Sequence, residues 1–181
     1  MKLVELEHIL RASKDICKDS EFVIIGSQSL HGKFPDLPDK ILVSMEVDLI
    51  AKTSPDATRL LNAIGVESPF HVEFGYYADP VDFETAILPH DWRNRLVNLK
   101  TSELAMGVKA YCLHPHDLAV AKIAAWREKD RVLLKYLLKE QLIKPDAVLR
   151  LIEKIKQPRD YRADMAKRFT AMLKSVRPQA R

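Results

Sequence analysis

Leu3, Leu6, Ile9, Leu10, Ile16 and Cys17 recur at helical spacing, which predicts an amphipathic helix ending near Asp19-Ser20. The apolar run Phe22-Val-Ile-Ile25, stopped by Gly26-Ser27, predicts a short strand buried on both faces. Gln28 to His31 reads as a short helix, and the Pro- and Asp-rich stretch from Phe34 to Lys40 as a loop. Ile41 to Ile50 resumes strand character, with Glu46 and Asp48 interleaved among Met45, Val47 and Leu49, so alternation puts both carboxylates on one face. Ser54-Pro55-Asp56 opens a helix carrying Ala57, Leu60, Leu61 and Ile64 that stops at Gly65. Further strands are expected over Pro69 to Tyr77, Ala86 to Leu88, Val97 to Leu99 and Val108 to Leu113, with a turn or short helix at His90 to Leu96.

From His114-Pro115 onward the period becomes 3.6. One helix carries Leu118, Ala121, Lys122, Ala125 and Trp126, and a second Val132, Leu133, Tyr136, Leu137 and Leu138. A third carries Val148, Leu149, Ile152 and Ile155, and a fourth Met165, Ala166, Phe169, Met172 and Leu173, with Pro145 and Pro158 as breaks. Strands followed by helices predict an α+β fold: a mixed sheet with helices on one side, then a C-terminal helical layer. The expected division is residues 1–112 for the sheet core and 113–181 for a basic helical region packed on it.

Composition adds one thing to this picture. With 47% apolar and 30% charged residues, the chain excludes collagen-like, low-complexity and disordered classes. The net charge of +4 hides a division: residues 1–112 hold 12 basic and 17 acidic side chains, net −5, whereas 113–181 hold 17 and 8, net +9. Cys17 and Cys112 form no CxxC and no dense framework, so they read as reduced thiols. Glu5, Glu7, His8 and Arg11 interrupt the apolar residues of the first segment, and no run approaches a membrane-spanning length, so a cytoplasmic protein without membrane association is expected.

The candidate chemistry lies in Ile24-Ile-Gly-Ser-Gln-Ser29 and Ser44-Met-Glu-Val-Asp-Leu-Ile50. Two carboxylates at i and i+2 on a strand offer hard oxygen ligands of the kind Mg²⁺ prefers. A Gly-Ser turn at a strand end lets backbone N–H groups approach a phosphate. Together they describe a phosphoryl or nucleotidyl transfer site with Glu46 and Asp48 as metal ligands.

This pairing resembles the nucleotidyltransferase superfamily of the DNA polymerase β type, whose signature is an hG[GS] turn followed by a [DE]h[DE]h strand. Gly26 and Ser27 match the first part, and Glu46, Val47, Asp48 and Leu49 the second. Leu113-His-Pro-His-Asp-Leu-Ala-Val-Ala-Lys-Ile-Ala-Ala-Trp-Arg-Glu-Lys-Asp130 is similar to the "L-x-P-x-D-L-x-x-x-K-x-x-A-x-R-x-K-D" segment of the bacterial branch related to AbiEii toxins. Ile87 to Leu96 is similar to that branch's middle region. The resemblance implies a nucleotidyltransferase-like core, Mg²⁺, an NTP donor, an acceptor that in some relatives is tRNA or another RNA, and an antitoxin partner. It implies that Gly26 and Ser27 hold the β- and γ-phosphates and that Lys122 and Arg127 face the triphosphate or acceptor backbone, with Lys129 beside them. It also implies a third carboxylate on a later strand; Asp79, Asp82 and Glu84 are in range, and Asp82 is the choice made on sequence. Glu46 stands where the family more commonly has Asp, which moves the ligand oxygen outward by a methylene.

Simpler readings compete. Lys122 and Lys129, seven apart and so two turns, are expected to share one solvated helix face, and Asp130 is placed to cap a following helix. Cys112, His114 and His116 lack a fourth zinc ligand and are rejected as a metal site. Trp92 and Trp126 read as packing residues. The rival functions are a catalytically inactive binding or regulatory module on the same fold, and a basic nucleic-acid-binding protein in which the tail from Lys154 to Arg181 makes salt-sensitive contacts.

Overall fold

The structure, a computed structural model, describes residues 1–38, 41–42 and 44–176. Asp39, Lys40 and Val43, which the expected loop and strand include, and the end of the basic tail lie outside the described residues. The fold is α+β and separates into two compact units, residues 1–85 with 95–114 and residues 86–94 with 115–181. The first holds 11 basic and 16 acidic residues and the second 18 and 9, so the charge division follows the units.

The first unit is built on a five-stranded mixed sheet in the order β3-β2-β1-β5-β4. The strands are β1 (Glu21–Ile24), β2 (Glu46–Ala51), β3 (Tyr77–Pro80), β4 (Val97–Asn98) and β5 (Lys109–Cys112). β1 pairs antiparallel with β2 and parallel with β5; β3 runs parallel to β2, and β4 antiparallel to β5. Period-2 alternation turns Phe22, Ile24, Val47, Leu49, Ala51, Ala78, Ala110 and Cys112 to one face. There they form a single core with Leu6, Ile9 and Leu10 of α1 (Leu3–Cys17) and with Leu61 and Ile64 of the segment Pro55–Ile64. Val23 and Ile50, on the opposite face, are also buried, so β1 is covered on both sides as its unbroken apolar run predicts.

Three expected elements change. The second strand begins at Glu46 rather than Ile41, because Ile41 closes a turn onto Pro38. Pro55–Ile64 is a succession of 3-10 turns, and Ser54 does not cap it; the Ser54 N–H donates instead to Asp19. Pro69 to Tyr77 is no strand: Ser68 Oγ accepts from His71 N–H at 3.1 Å and starts α2 (Pro69–Phe74), which ends at Gly75 with φ +76°. The apolar residues Phe70, Val72, Phe74 and Tyr76 mimic a strand's alternation, but Phe70 and Phe74 stack one turn apart at 4.9 Å, and His8 of α1 packs against both.

The second unit is helical, with α3 (Pro115–Ala125), α4 (Glu128–Lys139), α5 (Pro145–Ile152) and α6 (Arg159–Val176). α3 is buried over consecutive positions, Leu118, Ala119 and Val120, and contacts the other three helices. Residues 86–94 join this unit: Pro89 bridges to Ile155, the His90 N–H donates to Lys154 O, and Asp91 pairs with Lys154 at 2.7 Å. Ala86 to Leu88 is accordingly not a strand. Trp92 is buried, consistent with packing. No described helix is long and apolar enough to cross a membrane.

Candidate active site

Gly26 lies two residues past the end of β1, and the Asp48 carbonyl accepts from the N–H of its neighbour Ile25 at 3.2 Å. The Asp48 carboxylate lies directly over Gly26. A Cβ built on Gly26 would sit 1.6 Å from Asp48 Oδ2 and 2.7 Å from its Cγ, while the Gly26 φ of −79° suits any residue. Glycine is therefore needed for the close approach of a carboxylate, not for backbone freedom. Beyond it, Ser27–Gly32 forms a 3-10 helix anchored by buried Gln28, whose Nε2 donates to Ser44 O at 2.9 Å. Gln28 was not singled out on sequence, yet it ties the turn to the chain leading into β2.

Glu46 and Asp48 share the face opposite the core, as alternation requires, and both are half-buried. The parallel register brings in Asp79, which sequence left as one of three candidates beside Asp82 and Glu84, and Tyr77, which it did not single out. Asp79 is the Cα partner of Asp48 and Tyr77 the partner of Glu46, so all four side chains leave the same face of adjacent strands about 4.8 Å apart. Tyr77 Oη donates to Glu46 Oε2 at 3.4 Å. Burial and the neighbouring Glu46 charge push the Asp79 carboxyl above its ordinary range. Burial, then Glu46 and Asp79, push the Tyr77 phenol up likewise. Desolvation is the larger cause of both shifts, and the neighbouring carboxylates add to it.

Asp82 lies two residues past the end of β3. Its Oδ1 accepts from Glu84 N–H at 2.8 Å and Thr85 Oγ1 at 3.0 Å, and these bonds lower its carboxyl below the usual range. It is a turn-forming residue, and it lines a cavity of about 370 Å³ with Ile50, Arg59, Pro80, Val81 and Phe83. The register signal that finds Asp79 was masked because the strand was expected to end at Tyr77, where it begins.

Lys122, Arg127 and Lys129 belong to the helical unit. Lys122 does not share a helix face with Lys129: α3 ends at Ala125, Trp126 takes φ +52°, and α4 starts at Glu128. Asp130, 1% exposed, pairs with Lys122 at 3.1 Å and with Arg127 Nε at 3.0 Å, and its Oδ2 also accepts from the Arg127 N–H. It thus caps α4 from the third position rather than the first. Burial opposes the Asp130 charge, but Lys122 and Arg127 outweigh it and hold the carboxyl below the usual range.

Both cysteines are free and buried, and burial pushes the thiols up, to about 11 for Cys17 and about 12 for Cys112, which makes both poor nucleophiles. His116 Nε2 accepts from the Lys144 N–H at 2.9 Å. The donors of the sheet site, two half-buried carboxylates with a third beside them, suit a hard divalent cation. Among the described residues no group of three or more His, Cys, Asp or Glu side chains is arranged to hold a metal ion.

A mixed sheet with a glycine turn beneath a strand carboxylate, and acidic residues on adjacent strands, defines a nucleotidyltransferase-type core. The family model described as nucleotidyltransferase of unknown function (DUF6036) matches residues 1–174, and the chain belongs to that family. Comparisons with curated proteins and with solved structures gave no match.

Proposed function

We propose that this protein transfers a nucleoside monophosphate from an NTP to a hydroxyl acceptor with the help of Mg²⁺. The observation that carries the reading is the Asp48 carboxylate seated over Gly26, with Asp79 alongside it in register. Glu46 and Asp48 would hold the cation, and Asp79, rather than Asp82, would be the third carboxylate. Bound there, Mg²⁺ would polarise the α-phosphate and neutralise the leaving pyrophosphate. Gly26 and Ser27 face the β- and γ-phosphates with backbone N–H groups. Asp79, its carboxyl raised above the ordinary value by burial and by Glu46, takes the acceptor's proton as the new O–Pα bond forms and the bond to the pyrophosphate oxygen breaks. The cavity beginning at Pro80, one residue past Asp79, is the approach for that acceptor.

The similarity of the 113–130 segment to the AbiEii-related branch and the net +9 of the helical unit favour RNA, tRNA first, over a protein acceptor, with an antitoxin as protein partner. Two buried free thiols fit a reducing, cytoplasmic setting. The test is label transfer from α-labelled NTPs to total tRNA with Mg²⁺. Transfer that is lost in Asp48→Ala and Asp79→Asn supports the reading, and undiminished transfer in Asp48→Ala sinks it. The second reading, an inactive nucleotide-binding module, draws on the open arrangement of the three carboxylates among the described residues. It predicts stabilisation by NTP with no labelled product.

A further inference from the structure

We propose that Tyr77 is a positioning residue for Glu46, holding the carboxylate at the end of that side chain's two methylenes; this rests on the metal-binding reading above. The second methylene gives Glu46 one more torsion than an aspartate, and a ligand with a free torsion is a poorly aimed ligand. Tyr77 is placed to remove that freedom. It is the Cα partner of Glu46, and its hydroxyl donates to Glu46 Oε2 at 3.4 Å. A phenol is protonated at neutral pH, so towards a carboxylate it acts only as donor. The distance is long for a hydroxyl–carboxylate bond, so the restraint is a light one.

The ring is in turn held from behind. His71 packs on it with centroids 4.5 Å apart. The imidazole is fixed at both ends of its residue: Nδ1 accepts from the Glu67 N–H at 3.0 Å, and the His71 N–H donates to Ser68 Oγ at 3.1 Å. The short helix α2 thus supports His71, His71 supports Tyr77, and Tyr77 aims Glu46. Outer partners of this kind orient metal ligands, and their removal costs about tenfold to a hundredfold in affinity.

The experiment is Mn²⁺ binding, followed by electron paramagnetic resonance, in wild type, Tyr77→Phe, Glu46→Asp and the double variant, with Asp48→Ala as reference. Tyr77→Phe keeps the ring and removes only the hydroxyl, so affinity is expected to fall by about tenfold, the low end for an outer partner. In the Glu46→Asp background the same change is expected to do almost nothing, because the shorter side chain no longer reaches the hydroxyl. Equal losses in both backgrounds, or no loss in the first, overturn the assignment of Tyr77. Mn²⁺ binding that Asp48→Ala abolishes while Tyr77→Phe leaves it intact overturns Tyr77 alone; binding indifferent to Asp48, or none at all, overturns the metal reading with it. Independently of metal, Tyr77→Phe is expected to move the side-chain carboxyl ¹³C resonance of Glu46 and leave that of Glu21 in place, and an unmoved Glu46 resonance also refutes the proposal.

Discussion

Replacing Gly26 by alanine separates the chemistry from the fold. The new Cβ would sit 1.6 Å from Asp48 Oδ2 and 2.7 Å from its Cγ, far inside contact distance, and 3.3 Å from its Cβ. The strand cannot retreat cheaply, because Ile25 N–H bonds Asp48 O and Ile24 pairs with Leu49. The side chain of Asp48 must therefore rotate. Leaving a preferred rotamer costs about 0.5–1.5 kcal/mol, and φ −79° adds no backbone penalty for alanine. The expected stability loss is thus about 1 kcal/mol, a shift of roughly 2–4 °C in Tm for a chain of this length. Displacing a reacting group by about 1 Å costs on the order of a hundredfold in rate, so label transfer is expected to fall at least that far. Gly107→Ala is the control: its φ of +76° penalises alanine by about 1–2 kcal/mol, while nothing lies within 4 Å of the new methyl, so stability falls and transfer is kept. Paired urea titrations and transfer assays check both. A Gly26→Ala protein with transfer within about threefold of wild type would refute the placement of Asp48 over the turn.

Asp79→Asn is expected to abolish transfer while making the metal-free protein more stable at pH 7. A carboxyl raised in the native state opposes folding once ionised, so the gain over wild type should be full above the native value and vanish below about pH 3.9, the unfolded value, in urea titrations across that range. Asp130→Asn leaves the Lys122 ammonium, only 14% exposed, without its carboxylate, and unfolding free energy is expected to fall by about 3 kcal/mol. The native Asp130 carboxyl is held low, so this loss should be full above about pH 3.9 and fade as pH drops through the native value; the Arg168–Asp164 pair, whose carboxylate is exposed, should cost no more than about 1 kcal/mol when broken by Asp164→Asn. Ser68→Ala removes the cap of α2 and is expected to cost about 1 kcal/mol and to weaken Mn²⁺ binding slightly through His71 and Tyr77.

Period and punctuation carried the long elements. α1 and the four C-terminal helices are visible because an apolar stripe at 3.6 spacing runs far enough to exclude period 2, and Glu46 and Asp48 fall on one face by alternation alone. The stretch from Pro69 to Pro80 was not legible, since six residues of α2 make fewer than two turns and their apolar residues alternate. The same Ser-Pro pair occurs twice with opposite results: Ser68 caps, whereas Ser54 is drawn off by the buried carboxylate of Asp19, which collects Glu21, Thr53 and Ser54 N–H groups. No local pattern distinguishes the two. Misplacing that one helix hid β3, and with it the register with β2 that sets Asp79, one of three candidates by sequence, beside Asp48 and sets Tyr77 beside Glu46.

The two motifs that carry the resemblance therefore do different work. The longer and more distinctive stretch, 113–130, is largely architecture: Pro115 and Asp117 open α3, Leu118 is core, and buried Asp130 pairs with the largely buried Lys122 across the α3–α4 break and with the exposed Arg127. Such residues are constrained because a buried charge without its partner is costly, whatever reaction the fold performs. The shorter motif, Gly26-Ser27 with Glu46 and Asp48, is ambiguous as a string of letters, yet its geometry is one that packing alone does not demand: a strand carboxylate occupying the space a side chain would fill. Similarity concentrated in 113–130 argues for the fold, and activity has to be argued from Gly26, Asp48 and Asp79. A relative that keeps the ion pair but carries a larger residue at the position of Gly26 is expected to fold normally and to transfer nothing.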